Sequence, residues 1–376
     1  MTEQEQLAAF HGLLTAMLSS ENTERSAAEQ QYEQIPKEQR SSLLFQIYTQ
    51  AGVSEENRSL ALVLLRRLLS NNWDDLAAAW GQQNQDHFCT QLLQVAPNEQ
   101  SENLRKKITD LISEVARNTI DDDTGAQKWR ELVQFMQMCA SAEDNHLKLM
   151  ALSIIEDVPN VFGNEAASCL PGLKALFESC LSHANAPVRS AAVKAYVSYI
   201  VDNDDDDRTV KTLGQLAPII VKVCEHVVVN EEDDDTPLQC LADLATSLPK
   251  VLQPQLSQVI HLCTSTVKNA EKDEAYRHSA MEVITSLCEN APNMIKKRAA
   301  NHIQDILLCC LLMMTELSEE VTETVGVGES SLDRIACALN GKVIVPHFLQ
   351  VANQLLTDPI ISSSGFLSDK PIFERH

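Results

Sequence analysis

The sequence predicts an all-α fold made of stacked helix pairs. Glycine (11) and proline (13) are scarce among 376 residues, so few tight hairpin turns are expected. Aromatic residues, which favour strands, make up only 5% of the chain. In addition, one apolar pattern, typical of a helix buried on one side, recurs along the whole sequence.

Eight segments carry this pattern, and each begins at a polar residue that we call the anchor. The anchors are Arg25, Arg58, Arg105, Lys148, Arg189, Gln239, Arg277 and Asp333. Their mean spacing of 44 residues is typical of HEAT or armadillo arrays, in which helix pairs bury a core only by stacking. Armadillo repeats need a glycine-rich turn, so the scarcity of glycine favours a HEAT-repeat α-solenoid.

The boundaries of the pairs follow from local signals. Pro187 falls in the first turn of a second helix, where its missing N–H costs nothing. The acidic runs at 121–123, 202–207 and 231–235 fall between helices, beside N-termini that favour carboxylates. The predicted pairs lie near residues 3–35, 37–72, 74–120, 126–163, 164–202, 208–249, 250–291 and 293–342.

Charge and cysteine usage limit the classes of function. With 30 basic and 53 acidic residues the net charge is −23, which disfavours direct nucleic-acid binding and favours a basic protein partner. Eleven cysteines without a Cys-x-x-Cys pair indicate a reducing compartment and buried thiols. The polar N-terminus and a longest apolar run of nine residues, 306–314, predict no signal peptide and no membrane insertion.

Motifs that carry chemistry are missing from the sequence. The ten histidines form no cluster, and neither a His-Glu-x-x-His motif, a phosphate-binding loop nor a nucleophile elbow is present. We therefore predict no enzyme activity, no catalytic residue, no metal and no cofactor.

Four segments in order carry a resemblance to a known family. They are RSLALVLLRRLLSNNWDD (58–75), LRKKITDLISEVARNTIDDD (104–123), VPNVFGN (158–164) and GESSLDRIACALNGKVIVP (328–346). With this spacing the chain resembles the importin-β (karyopherin-β) nuclear transport receptors, in particular their importin-5-like (karyopherin-β3) branch, over about residues 1–359.

The resemblance implies a function. Members of this family bind basic localisation signals of cargo, contact Phe-Gly repeats of nucleoporins and release cargo when Ran-GTP binds. It implies a Ran-binding region of HEAT repeats at 1–120, further HEAT repeats at 121–359 and an irregular tail at 360–376. We expect a monomer that moves between cytoplasm and nucleus through the nuclear pore.

The chain departs from the family pattern in two places. The long acidic insertion that precedes the GESSLDR segment in the importin-5-like branch is shortened, at about 314–326. Residues 360–376 lack helical periodicity, and the chain corresponds to roughly the first third of the family. We interpret it as a truncated or alternatively spliced product.

Two sets of residues are candidates for partner binding, and both have a structural alternative. The resemblance places Arg66, Arg67, Arg105, Lys106 and Lys107 in the Ran region, where Arg66 and Arg67 either contact Ran or form a salt bridge that orders the concave face. Alternatively all five form a solvated face, with the last three pairing with Asp110 and Glu114. The acidic loop residues Asp204, Asp205, Asp206, Glu231, Glu232 and Asp233 either face basic cargo or are simply solvated.

Further basic residues receive structural interpretations. Lys296, Lys297 and Arg298 form either a short localisation-like run or, as we favour, the surface of a helix. Arg189 and Arg277 occupy equivalent repeat positions and are predicted to pair with an acid of the neighbouring repeat. The alternative function for the whole chain is a non-transport HEAT scaffold or a regulator that sequesters its partners.

Overall fold

A computed structural model describes residues 2–121, 123–230, 234–314 and 326–357. Within these ranges the chain is helical, and the bridge between Ile120 and Gln127 is the one β-type pairing. The all-α prediction is therefore confirmed. Backbone contacts divide the chain into two compact units, Met1–Asp202 (unit 1) and Asn203–His376 (unit 2).

Unit 1 is an array of antiparallel helix pairs. Its helices are α1 (Glu3–Met17), α2 (Asn22–Gln34), α3 (Lys37–Thr49), α4 (Glu55–Val95), α5 (Glu102–Asn118), α6 (Arg130–Ser141), α7 (Asn145–Asp157), α8 (Ala166–Leu181) and α9 (Ala186–Asp202). The first helices pair with the second helices of the same repeat, and the second helices α4, α5, α7 and α9 pack side by side. These bounds confirm the five helix pairs predicted for this part of the chain.

Helix α4 joins two repeats without a loop. Its backbone leaves the helical region at Asn72 and again at Gly81, whose φ of 66° is accessible to glycine without strain. Residues 55–71 are thus the second helix of one repeat, and residues 73–95, interrupted at Gly81, form the first helix of the next, as the pair boundaries at 72 and 74 predicted.

The anchors have a common structural role in unit 1. Each anchor is the fourth residue of a second helix, and its side chain donates to a carbonyl at the end of the preceding helix or turn. These bonds are Arg25 to Ser19, Arg58 to Tyr48, Arg105 to Glu99, Lys148 to Ala142 and Arg189 to His183. They satisfy carbonyls that a helix end leaves unpaired.

A buried polar network ties the second repeat to the third. Glu99 is 6% exposed; one carboxylate oxygen receives the Tyr48 hydroxyl at 3.1 Å and pairs with Arg58. The other accepts the backbone N–H groups of Gln100 and Ser101. Because every partner is satisfied, the burial of this charge is compensated.

The VPNVFGN segment packs against the loop that follows α5. Gly163 adopts φ of 46°, and a side-chain carbon there would lie 2.8 Å from the backbone nitrogen of Gln127. The Asn164 amide donates to the Thr124 carbonyl at 2.8 Å, and the Gln127 amide donates to Val161. This interlock explains why the segment needs glycine at position 163.

Unit 2 continues the same architecture. Its helices are α10 (Asp207–Leu213), α11 (Ala217–Asn230), α12 (Thr236–Ser247), α13 (Leu256–Lys268), α14 (Glu274–Asn290), α15 (Pro292–Arg298), α16 (Ile303–Met313), α17 (Val327–Leu339) and α18 (Gly341–Thr357). The second helices α12, α14 and α17 again lie side by side. Arg277 keeps the anchor position and donates to the Lys272 carbonyl at 3.0 Å.

The last anchor, Asp333, has a different position in its helix from the other anchors. Asp333 is the seventh residue of α17 rather than the fourth. The residue that ties this helix to its neighbour is Arg334, which binds Glu282 and Glu289 of α14 at 2.6 to 3.0 Å. Gly328 allows α17 to approach α16, because a side-chain carbon there would lie 2.5 Å from the Cys310 carbonyl.

One helical stretch, Asp207–Asn230, has the length and mean hydropathy (1.4) of a membrane span. Half of its apolar window is buried inside the protein, and a 3₁₀ turn at Gly214–Leu216 interrupts it. A core helix of a folded domain shows the same composition, and this stretch packs as one.

Candidate functional site

The second helices of unit 1 form a groove that we call the helix groove. It has a volume of about 1150 Å³ and is bordered by α5, α7 and α9. Its charged and titratable side chains come from successive repeats, and they include Lys106, Asp110, His146, Glu156, Asp157 and Lys194. A groove that is shallow, mixed in charge and spread over several repeats suits a protein surface rather than a small molecule.

A chain of ion pairs crosses the helices beside this groove. Arg66 of α4 pairs with Asp110 of α5 at 3.3 Å and reaches Glu114 at 4.0 Å. Arg117 pairs with Glu114 at 3.1 Å and also donates to the Asp157 carbonyl of α7. These contacts hold three repeats in register and leave the Arg66 side chain 49% exposed.

Burial perturbs two carboxyl groups of the groove. It raises the pKa of Asp110, and the positive charge of Arg66 opposes the shift. It also raises the pKa of Glu156, opposed by Lys194. A basic group from a partner would therefore pair with carboxylates that are already partly desolvated, where a charge contact is stronger than in water.

The five basic candidates do not form one cluster. Arg66 and Lys106 are exposed beside or within the groove, and Lys107 is half-buried on α5. Arg67 is exposed, and its charge acts on Tyr32 of the preceding repeat. Arg105 is half-buried and donates to the Glu99 carbonyl at 2.6 Å, so it holds its own repeat together.

The structural alternative for Arg105, Lys106 and Lys107 holds only in part, since the charges of Lys106 and Lys107 act on Asp110 without a close ion pair among the described residues. Within the described part of the chain, Asp110 and Glu114 pair with Arg66 and Arg117 instead. The physical reason is that Arg66 approaches from the neighbouring repeat, a contact that spacing along α5 does not reveal.

Sequence reasoning missed Lys194, Glu156 and His146, which line the groove. A signal for one of them was present. The fifth residue after the anchor points into the groove in three successive repeats, as Asp110, Ser153 and Lys194. Aligning the anchors would therefore have identified Lys194.

The acidic candidates lie on the loop before α10. Asp204 and Asp205 are exposed. Asp206 caps α10, since its carboxylate accepts the Thr209 hydroxyl and the backbone N–H of Arg208, which lowers its pKa. Glu231, Glu232 and Asp233 lie outside the described residues.

The remaining basic predictions have mixed outcomes. Lys296, Lys297 and Arg298 belong to helix α15, as expected, and Lys296 donates to the Ala338 carbonyl at 3.5 Å. Arg189 donates to the carbonyls of His183 and Ala184 within its own repeat. Its pairing with an acid of the next repeat stays a prediction.

A second groove lies between the first helices of the second and third repeats. It has a volume of about 580 Å³ and is bordered by α3 and residues 73–95 of α4. Phe88 forms its aromatic wall, with ring centroids 5.3 Å from Phe45 and 5.3 Å from Trp80. We call it the aromatic groove; it offers apolar ring faces surrounded by polar side chains.

Among the described residues, no three His, Cys, Asp or Glu side chains are arranged to hold a metal ion. The predicted absence of enzyme activity rests on the sequence and stays a prediction.

Comparison with known proteins identifies the family. The model described as "IPO5-like, TPR repeats" matches residues 100–262, and the model described as "Importin repeat" matches residues 269–346. A curated relative is importin subunit beta-3 of Saccharomyces cerevisiae, 25% identical over 92% of this chain and 33% of its own length. The chain thus spans about a third of that relative.

Solved structures agree with the fold. The crystal structure of Kap121p matches with a TM-score of 0.80 and 23% identity over 95% of this chain and 35% of its own. Kap121p bound to Nup53p matches with a TM-score of 0.79 and 22% identity, over 96% and 36%. The HEAT-repeat solenoid prediction is therefore confirmed, and the chain belongs to the importin-β (karyopherin-β) family, of which it matches the N-terminal portion.

Proposed function

We propose that the chain is the Ran-binding and partner-binding portion of a nuclear import receptor. The observation that carries the proposal is the match of importin models to residues 100–262 and 269–346. The helix groove of unit 1 supplies a surface for Ran-GTP, because second helices of successive repeats present mixed charge along it. Membership of the family and this surface support the same partner.

The basic residues have different roles in the proposed Ran site. Arg66 and Lys106 are exposed cations of this face, so they are placed to contact acidic groups of the GTPase. Arg105 acts indirectly by holding the turn before α5 through Glu99. Long-range attraction between the acidic chain and the basic patches of a partner raises the association rate.

Nucleoporin contact is assigned to the aromatic groove. A phenylalanine side chain from a Phe-Gly repeat can insert beside Phe45, Trp80 and Phe88, which offer edge and face contacts. The related Kap121p has been solved bound to Nup53p and to the SUMO protease Ulp1p. Basic cargo is assigned to the acidic surface that includes Asp204 and Asp205.

A pull-down with Ran locked in its GTP form tests the proposal, with Ran-GDP as the parallel sample. We expect binding that prefers the GTP form. Arg66→Glu with Lys106→Glu should weaken it by about tenfold or more, because two attractive charge contacts become repulsive. Lys297→Glu on α15 carries the same kind of charge change away from the groove and should leave binding unchanged.

Binding that does not distinguish GTP from GDP would exclude the Ran assignment. The scaffold alternative makes a different prediction in permeabilised cells: the chain would neither accumulate at nuclear pores nor support import of a basic cargo. Accumulation at the nuclear rim that disappears with Phe88→Ala would instead support the aromatic groove.

A further inference from the structure

Helix α18, the last helix that the structure describes, has apolar residues on two of its faces. Its inner face, where Ile344 and Val351 are buried, packs on α16 and α17. Its outer face carries Val345, Leu349 and Leu356, which are 53%, 57% and 54% exposed. These three residues are spaced by four and then seven positions, so they share one side of the helix. We call them the outer stripe.

The outer stripe differs from the other exposed apolar residues in the described part of the chain. The other large ones stand apart, each on a different helix or helix end, and they are Leu18, Val63, Met138, Val229 and Val327. Isolated exposed apolar residues are common on protein surfaces, whereas a continuous apolar line marks a contact surface. The outer stripe is therefore the place where a further contact is expected.

Charge limits what can cover the outer stripe. Residues 343–357 contain no Asp, Glu, Lys or Arg, in a chain whose net charge is −23. A strongly charged partner gains no charge pairing from such a neutral line. A second copy of the chain carries the same negative charge and is repelled as it approaches. A nearly neutral apolar segment that is tethered beside the stripe fits better, because tethering gives it an effective concentration of about millimolar.

The residues that follow α18 have this composition. Residues 358–376, which lie outside the described part of the chain, contain two basic and three acidic side chains. Their large apolar residues form three pairs at intervals of six, namely Ile360-Ile361, Phe366-Leu367 and Ile372-Phe373. Side chains of an extended segment alternate between two faces, so Ile361, Leu367 and Phe373 fall on the same face of such a segment. The pattern predicts one apolar edge.

Length and direction fit the outer stripe. Val345 and Leu356 are eleven residues apart, which is about 17 Å along a helix axis. Ile361 and Leu367 are six residues apart, which is about 20 Å in an extended chain. The dipeptide Asp358-Pro359 disfavours continuation of the helix, so the chain can turn back before Ile361. Ile361 then meets Leu356, and Leu367 meets Val345.

We propose that residues 358–376 fold back along α18 and cover the outer stripe, with Ile361 and Leu367 as the two apolar contacts. The segment acts as an intramolecular cap. By removing the stripe from water, it keeps α18 from pairing with the same stripe of another molecule. The cap lies apart from the helix groove and the aromatic groove, so it does not rest on the proposed binding of Ran or of nucleoporins.

Photo-cross-linking in the full chain tests this cap. The photoreactive residue p-benzoylphenylalanine replaces Leu367 in one variant and Ser364 in the matched control. Residue 364 falls on the opposite face of an extended segment from residue 367. We expect the variant at 367, and not the variant at 364, to cross-link within one molecule to peptides from residues 341–357. Mass spectrometry locates the cross-link, and sedimentation should show a monomer.

A second change, in the middle of the outer stripe, locates the contact on α18. Leu349→Gln in the cross-linking variant at 367 should lower the yield about tenfold, the factor that burial of one leucine side chain contributes. Met138→Gln replaces an apolar residue of similar exposure, 49%, on α6, and it should leave the yield unchanged. Both replaced side chains are exposed, so both proteins should stay folded, which circular dichroism checks.

Three results would overturn the proposal. Cross-links between two molecules would show that a second copy covers the outer stripe. Cross-links from position 367 to helices other than α18, or no cross-link at all, would show that the segment lies elsewhere. A yield that Leu349→Gln leaves intact would separate the segment from the stripe. None of these results depends on whether the chain binds Ran.

Discussion

At the scale of single residues, the backbone angle at Gly163 sets the fit between two loops of unit 1. Its φ of 46° lies in the left-handed region, and there is no room for a side-chain carbon beside Gln127. Glycine at 163 therefore reflects two constraints at once, a backbone conformation and a close approach.

Gly163→Ala is expected to lower the free energy of unfolding by about 2–4 kcal/mol, because strain and a clash add. Gly172→Ala is the control: it lies on α8 with open space around it, and it should be neutral or stabilising by about 0.5–1 kcal/mol. Urea denaturation of both variants measures the difference. Equal stability of the two variants would mean that the interlock contributes nothing.

Asp121, in the same loop, makes a pH-dependent contribution to the stability of the folded state. Hydrogen bonds from Lys128 and Thr124 hold the pKa of its carboxyl well below the ordinary value near 4. A depressed pKa in the folded state means that stabilisation is present above about pH 4 and is lost as the pH falls below it.

The melting temperature of Asp121→Asn should therefore be lower than that of the parent protein at pH 7. The difference should shrink between about pH 5 and pH 3, as the unfolded carboxyl becomes protonated. Asp123→Asn, a neighbouring change without these hydrogen bonds, should show a smaller and flatter difference. A difference in melting temperature between Asp121→Asn and the parent protein that does not change with pH would contradict the stabilising role of the ionised Asp121 carboxylate.

At the scale of helices, a basic side chain connects the two helices of a repeat at the same position in successive repeats. Arginine or lysine at the fourth position of a second helix donates to carbonyls of the preceding turn. One residue therefore links the two helices of a repeat. Between repeats the connection changes to ion pairs such as Arg66 with Asp110 and Arg334 with Glu282.

Arg334→Lys should weaken the contact between α14 and α17 although it keeps the charge. A lysine cannot bind Glu282 and Glu289 with paired donors, and the site is partly exposed, so a loss of about 1–2 kcal/mol is expected. Hydrogen exchange of the full chain should speed up in α14 and α17. Lys342→Arg on α18 is the control, and unchanged exchange in Arg334→Lys would show that charge alone suffices.

At the scale of the whole molecule, the core of unit 2 contains six cysteines on five helices. Cys224, Cys240, Cys263, Cys288, Cys309 and Cys310 are all buried. Burial raises the pKa of Cys288 and of Cys309 to about 12, so both are thiols at neutral pH. Because the thiolate is the reactive form, these residues should behave as small apolar side chains.

Iodoacetamide should therefore label Cys337, which is exposed, well before any of these six in the native protein. Peptide mass spectrometry gives the order of labelling, and denaturant should make all of them reactive. With Cys337→Ser, fast labelling of unit 2 should disappear. Fast labelling of Cys263 or Cys309 in native buffer would show that the core opens.

The acidic residues that give the net charge of −23 have different surroundings in different parts of unit 1. In and beside the helix groove, acids alternate with Arg66, Lys106 and Lys194, so the surface is mixed. In the cavity bordered by residues 73–89 of α4 and the loop that leads to α6, carboxylates dominate. A mixed surface and a concentrated acidic site attract different partners, and composition alone does not separate them.

The helix pairs and their repeat length follow from the sequence, because apolar spacing of 3.6 residues and the recurring anchors are local signals. Even the boundary inside α4 was predictable from its pattern. The link from α17 to α14 was not, because Arg334 makes it and the predicted anchor was the residue before, Asp333. The contact that reveals it lies on α14, far along the chain.

The sequence by itself determined the all-α repeat architecture, the family and the basic residues Arg66 and Lys106 as candidates. Only the tertiary structure decided that Arg105 supports a turn, that Lys194 joins the groove, and that Trp73 and Trp129 border one cavity with several acids. The physical reason is distance along the chain. Helix formation depends on residues three or four apart, whereas these sites arise where separate repeats stack and bring remote charges together.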